Sequence, residues 1–222
     1  MTAVWGPLGW MTLHSISTSY PEVPTLAEKH LVSAWIDMFR DTITCPHCRD
    51  HFAEIYANYK RVYPNFANSR QDLAMFVFRV HNAVNRRLKK PIYESVASCM
   101  ERLRENVRNR SARDYRLAYL NHIARYWRTF QDITGLTALK KINEMRRIEG
   151  EYWGPKDTNF NVQLLEGEVI VARGILEKDA IQESIPRPIA PRAIVAPTGD
   201  RVPSRMPMGV GFRMTAGGLR LR

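Results

Sequence analysis

Cysteine is scarce in this chain: three residues in 222, at positions 45, 48 and 99. Three cysteines cannot supply the bridges of a disulfide-stapled scaffold. Long apolar runs are absent too. No stretch of about 18 or more consecutive apolar residues occurs, so no membrane span is expected. Residues Met1 to Trp10 lack a basic region followed by an apolar one. No secretory signal is therefore expected, and the expected location is intracellular. No internal repeat is found. What the chain does have is 45% hydrophobic residues, enough to pack the core of one or two domains.

Acidic residues are outnumbered, and unevenly. The formal net charge is +11, and residues 101–150 carry 12 Lys and Arg against 6 Asp and Glu. A basic segment of this kind binds nucleic acid or an acidic surface, or is simply a solvated helical face.

The apolar pattern is helical almost from the start. Trp10, Leu13, His14 and Ser17 share one face of a first helix, with Pro7 suited to its first position and Tyr20-Pro21 ending it. Thr25 and Glu28 form a capping-box pattern ahead of Leu31, Ala34, Trp35, Met38 and Phe39, and that helix should run to about Thr42. A third helix begins at the cysteine pair and carries Phe52, Ile55, Tyr56 and Tyr59 on one face. A fourth starts at Ser69 and runs to Lys90. A short charged helix is expected over Ser95–Asn109. A second helical unit follows, with Tyr115, Tyr119, Tyr126, Trp127 and Phe130 on a broad aromatic face. Leu139, Ile142, Met145 and Ile148 mark a further short helix after a break at Thr134-Gly135. Beyond it, Asn161–Ala172 reads as a β-hairpin around Glu166-Gly167. Residues 185–222, rich in Pro, Arg and then Gly, read as an extended or disordered tail.

Cys45-Pro46-His47-Cys48 is the chemical centre of this pattern. With Cys45 at the N-cap and Pro46 at the first helical position, both thiols lie at a helix N-terminus, where the dipole and free N–H groups favour a thiolate. One thiol can attack a disulfide and the other resolve the mixed species. Three readings of the pair stay open on these residues alone. It is a redox disulfide, or a metal site with His51 and His47, or two ordinary core cysteines. A zinc site would want a second ligand pair, and none is present. A thioredoxin-like context would want a strand before the motif, whereas Leu26–Thr42 has helical period and a capping box. Cys99 has no thiol near it in sequence and reads as a small buried residue.

A second constellation lies at His81-Asn82-Ala83-Val84-Asn85, where His81 and Asn85 are one helical turn apart. Buried amides and imidazoles need partners, which either the core or a docked polar heterocycle can supply. Arg86, Arg87, Lys89 and Lys90 follow; they suit a diphosphate or a solvated face.

Taken together, the ordered set resembles the Erv/ALR family of FAD-linked sulfhydryl oxidases. The set is Trp5-Gly6-x-x-x-Trp10-x-x-Leu13-His14, Tyr20-Pro21-x-x-Pro24, Cys45-x-x-Cys48 and His81-Asn82-x-Val84-Asn85-x-x-Leu88-x-Lys90-Pro91. The resemblance covers residues 4–93. It implies a mainly α protein: a four- to five-helix bundle of the Erv/ALR type, followed here by the second, mostly helical region. It implies FAD as cofactor, protein dithiols as substrates, O2 as acceptor and H2O2 as product. By motif position Cys48 is the flavin-proximal sulfur and Cys45 the one that exchanges with substrate. Trp5, Gly6, Trp10, His14, Phe78, His81, Asn82, Val84, Asn85, Leu88 and Lys90 are implied to contact the flavin. A homodimer is implied as well.

Three departures stand out. Many members join the helix before His81 to the segment after Pro91 by a disulfide; Phe78 and Ser95 hold those places here. A late flavin-side Trp is missing near Glu101 and Arg102, and there is no second Cys-x-x-Cys to act as a shuttle. Shuttle-less forms resemble those of large DNA viruses, which would place the protein in the cytoplasm of an infected cell or in a virion. The expected division is 1–109 as the FAD-binding oxidase domain, 110–184 as a second domain, and 185–222 as the tail. The competing expectation is a non-enzymatic basic helical binding module whose cysteines hold a metal or nothing.

Overall fold

The computed structural model describes residues 2–129, 135–156, 160–162 and 164. These form seven α-helices: α1 (Thr2–Ser19), α2 (Leu26–Asp41), α3 (Pro46–Val62), α4 (Arg70–Arg87), α5 (Val96–Asn106), α6 (Ala112–Tyr126) and α7 (Gly135–Ile148). A five-residue π turn, Glu149–Trp153, continues α7. The fold is mainly α, and no strand occurs among the described residues. None of these helices is long and apolar enough to cross a membrane. The hairpin read across Asn161–Ala172, apart from isolated positions, and the tail 185–222 lie outside the described residues, as does Thr134.

Local sequence sets most helix starts. The Thr25–Glu28 capping box is formed in both directions, Ser69 caps α4 through the Asp72 N–H, and Ser95 and Ser111 cap α5 and α6. Each such cap contributes about 1 kcal/mol. The first helix departs from expectation. It starts at Thr2, so Pro7 sits inside it rather than at its first position. Pro7 removes only one intrahelical N–H near the start, and packing further along α1 outweighs that loss.

That packing makes α1 the central rod. It has no charged residue from Thr2 to Ser19, and every position from Met11 to Tyr20 is buried. A helix polar on one side would expose that side; this one is enclosed all round. Two of its hydroxyls are satisfied locally, since Ser17 Oγ and Thr18 Oγ1 both donate to the His14 carbonyl at 2.9 and 3.0 Å, whereas Thr12 Oγ1 and Ser19 Oγ are buried without a partner. α4 packs along one side of the rod and α6 along another.

One apolar core runs from Leu13, Ile16, Trp35 and Phe39 through Phe76 and Val80 to Tyr119, Ile142 and Trp153. A second, smaller one gathers Met11, Met75, Phe78, Cys99, Met100 and Leu103 around α5. Tyr119 to Trp153 thus share the main core with α1–α4, and Ala112 joins the smaller core with Leu103, so no break between cores falls at residue 109. A buried ion pair reinforces the join. Arg116 on α6, 1% exposed, donates to both carboxylate oxygens of Glu149 at 2.8 and 3.1 Å and to the Trp153 carbonyl at 3.2 Å. It also donates to Ser15 Oγ on α1. On α2, the Glu28 carboxylate accepts from the Tyr152 hydroxyl at 2.7 Å and Lys156 at 3.0 Å.

Candidate redox site

Cys45 is the N-cap of α3, and its sulfur accepts from the Cys48 N–H at 3.3 Å. Pro46 occupies the first helical position, as the sequence predicts. The two cysteines are joined as a disulfide with their Cα atoms 5.2 Å apart. Cys48 packs against the main core. His47 and His51 meet edge to face at 4.2 Å on the same turn, but no group of three or more His, Cys, Asp or Glu among the described residues is arranged to hold a metal.

The bridge is tied to the neighbouring helices at two points. One turn on from Cys48, Phe52 lies 6.5 Å from the Trp10 ring of α1. On the outside, Arg87 Nη2 at the end of α4 meets His47 Nε2 at 3.3 Å.

From Trp10 the rings of α1 and α4 build a layered wall. Trp10 stacks on His81 with centroids 4.1 Å apart and planes 8° from parallel. His14 Nε2 and His81 Nδ1 are 3.0 Å apart, so one ring donates and the other accepts. Burial holds both imidazoles neutral. His14 is pushed well below the ordinary histidine range by burial and then by His81. His81 is lowered to about 3 by burial and then by Lys90. Tyr93 closes the edge of His81 at 5.4 Å.

The predicted contact residues divide into two groups. Trp5, Gly6, Trp10, His14, His81, Val84, Asn85, Leu88 and Lys90 lie on α1, on α4 or just after it. Trp5 Nε1 is buried and takes no hydrogen-bond partner, and a Cβ on Gly6 would meet nothing within 4 Å. Asn85 is 9% exposed, and its carbonyl accepts from the Lys90 N–H at 2.8 Å. Lys89, in the left-handed region at φ 53°, turns the chain there. Leu88 is exposed. Phe78 and Asn82 are placed differently. Phe78 is sealed in the smaller core beside Met11 and Met75. Asn82, fully buried, exchanges two hydrogen bonds with the Tyr93 backbone.

Sequence reasoning left three participants unassigned: Phe52, Tyr93 and Arg87 as a neighbour of His47. Phe52 was readable, being one turn from Cys48 on the apolar face of α3. Nothing local marks Tyr93.

An orphaned buried indole N–H, an aromatic ring backed by a stacked imidazole, and a run of cations at the end of α4 fit a planar heterocycle carrying a diphosphate. The arrangement beside it can exchange a disulfide.

The family model described as the Erv1 / Alr family matches residues 8–107. The "FAD-linked sulfhydryl oxidase" of African swine fever virus (isolate Tick/Malawi/Lil 20-1/1983) is 35% identical over 89 residues, covering 40% of this chain and 71% of that protein. The "Putative FAD-linked sulfhydryl oxidase 096R" of Invertebrate iridescent virus 3 is 33% identical over 90 residues, 40% of this chain and 58% of that protein. The "FAD-linked sulfhydryl oxidase ERV1" of Arabidopsis thaliana is 34% identical over 88 residues, 40% and 44% respectively. No solved structure matches.

Proposed function

The chain belongs to the Erv1 / Alr family, and from that premise we propose that it is an FAD-dependent thiol oxidase working through the Cys45–Cys48 disulfide. The observation that carries this reading is the placement of that disulfide. It caps α3 and is linked through Phe52 to the Trp10–His81 stack.

The family resemblance makes Cys45 the sulfur that meets substrate and Cys48 the inner one. A substrate thiolate attacks Cys45 Sγ, the Cys45–Cys48 bond breaks, and a mixed disulfide forms at Cys45. Cys48 leaves as a thiolate at the third helical position, where the N-terminal dipole of α3 favours negative charge. The second substrate thiol then attacks its own sulfur in the mixed disulfide and releases Cys45. The substrate loses two electrons and two protons, and the cysteine pair gains both electrons. FAD, when bound, supplies the two-electron acceptor for the reduced pair, and O2 is the final acceptor, giving H2O2.

The remaining residues hold the cofactor. Trp10, backed by the neutral His81, would offer an aromatic face to an isoalloxazine, and Trp5 Nε1 and the Asn85 amide would offer hydrogen bonds at its edge. Lys90, with Arg86 and Lys89, would supply the positive charge that a diphosphate needs. Gly6 leaves room for close approach. Phe78 and Asn82 act from behind, as packing and as a clasp on the α4–α5 connection. Neutrality of His14 and His81 keeps a fixed donor–acceptor pair in place as pH varies through the physiological range.

The test is direct. Purified protein should be yellow, release FAD on acid or heat treatment, and consume O2 with dithiothreitol while forming H2O2. A well-folded chain that never carries flavin would overturn the reading.

A further inference from the structure

We propose that the guanidinium of Arg87, seated on His47 between the two cysteines, is a docking contact for acidic residues beside the substrate's cysteines, so that the preferred substrate is an acidic dithiol segment of a protein. The inference rests on the oxidase reading and names its substrate class.

Charge at the end of α4 is one-sided. α4 and the turn after it supply Arg86, Arg87, Lys89 and Lys90, and no Asp or Glu occurs from residue 73 to residue 93. None of these four cations joins an ion pair among the described residues. Several basic residues elsewhere, Arg40, Arg70, Arg102, Arg116, Lys141, Arg147 and Lys156, hold carboxylates of the chain itself. The first two turns of α3 add one cation, Arg49, and one acid, Asp50, so they do not cancel the excess.

Within the four, Arg87 stands apart. Its Nη2 lies 3.3 Å from His47 Nε2, which places it over the Cys-x-x-Cys turn. A guanidinium has five donors in a planar fork. With one spent on His47, the rest can take a carboxylate in bidentate fashion. A partner whose thiols approach Cys45 would bring its flanking residues past this group. Opposite charges would raise the encounter rate, and like charges would suppress it.

The experiment uses three reduced Cys-x-x-Cys peptides, identical except for acidic, neutral-amide or lysine flanks. The readout is the anaerobic rate at which each reduces the Cys45–Cys48 bridge, followed by acid quenching, alkylation and the mass gained by the protein at Cys45 and Cys48. This rate is measurable whether or not flavin is bound. The acidic peptide should react fastest, with its advantage shrinking as salt rises. Arg87→Gln should cut the acidic-over-neutral ratio about fivefold, and Arg87→Glu should invert it. Equal rates for the three peptides on the unaltered chain would overturn the proposal. So would an Arg87→Gln chain that slows all three alike, or one that loses its flavin, since Arg87 would then belong to the bridge or to the diphosphate. A bridge that exchanges with the expected charge preference while no O2 is consumed would leave the proposal standing and remove the oxidase reading instead.

Discussion

Asn82 grips the backbone of Tyr93 from both sides: its Nδ2 donates to the Tyr93 carbonyl at 2.9 Å, and its Oδ1 accepts from the Tyr93 N–H at 2.9 Å. The pairing ties the middle of α4 to the stretch after Pro91, a span closed in many family members by a disulfide that Phe78 and Ser95 cannot form. A side-chain amide here does the work of a crosslink, and it also fixes Tyr93 against the edge of His81.

Asn82→Ala should therefore act on stability more than on chemistry. Two backbone groups lose their partner in a largely buried place, at a cost of about 2–4 kcal/mol. Urea unfolding measures it. Asn82→Asp should recover part of the loss by keeping the acceptor for the Tyr93 N–H. If the alanine variant is as stable as the parent yet binds flavin poorly, Asn82 is a ligand contact rather than a clasp.

The Arg116–Glu149 pair makes a prediction about the domain division. Removing one partner leaves a buried charge, and Arg116→Met alone should cost about 3–5 kcal/mol. Adding Glu149→Leu should restore much of it. A chain ended at residue 109 loses α6 from the side of α1 that it covers. Such a chain is expected to lose cooperative unfolding and to hold no flavin, read by circular dichroism and absorbance. If it stays folded and yellow, the boundary at 109 separates two domains after all.

How much of this was legible in the sequence depends on range. Thr25 with Glu28, and Cys45 with Pro46, are pairs within four residues, and their caps could be read directly. The wall of Trp10, His14 and His81 came from a resemblance across 67 residues that no local pattern encodes. Arg116 and Glu149 are 33 residues apart, and each alone looks like one more surface charge in a basic stretch. Only a packed α1, polar enough to place Ser15 beside Arg116, makes them meet. Pro7 misled for the opposite reason: a local preference for the first helical position yielded to the burial of everything after it.

The neutral histidines give the pH profile a signature. An unfolded histidine titrates near 6.5, whereas His81 in the fold is lowered to about 3 and His14 also lies well below the ordinary range. Below about 6.5 the unfolded chain binds protons that the fold cannot, so stability must fall as pH falls, by up to about 1.4 kcal/mol per pH unit for each ring. The loss is complete for His81 only near pH 3. Glu28, held at about 2 by the Thr25 N–H and then by Tyr152, adds its own loss, but only below the ordinary carboxylate range. Unfolding free energy measured between pH 6.5 and 5 therefore isolates the histidines, with His122, also lowered by burial, adding to the slope. A flat profile there would mean that both rings take up a proton in the fold.

The two bridge cysteines should separate by spectrum. With Cys48 as the inner sulfur, Cys48→Ser should stop turnover and remove any thiolate-to-flavin charge-transfer band on reduction. Cys45→Ser should also stop turnover but keep that band. Seeing the band only in the Cys48 variant would reverse the assignment.

Cys99 is the remaining thiol, and its surroundings argue against any part in electron transfer. It is 1% exposed, in the smaller core with Met11, Phe78 and Leu103, and its Sγ lies 4.0 Å from His14 Nε2. Burial pushes its pKa up to about 12, which leaves roughly one molecule in a hundred thousand as thiolate at pH 7. Exchange needs both a thiolate and an open line of attack, and Cys99 offers neither. Cys99→Ala should thus leave oxidation of a reduced protein substrate within about twofold of the parent, while costing about 1 kcal/mol of stability for the lost packing. Serine is the sharper probe, because its hydroxyl must find a partner in a largely apolar site, such as His14 or the Ser95 carbonyl one turn back, or go without. If Cys99→Ser slows oxidation of a protein dithiol while dithiothreitol is still consumed normally, Cys99 is reached by substrate through an opening of α5, and the direct route through Cys45 is wrong.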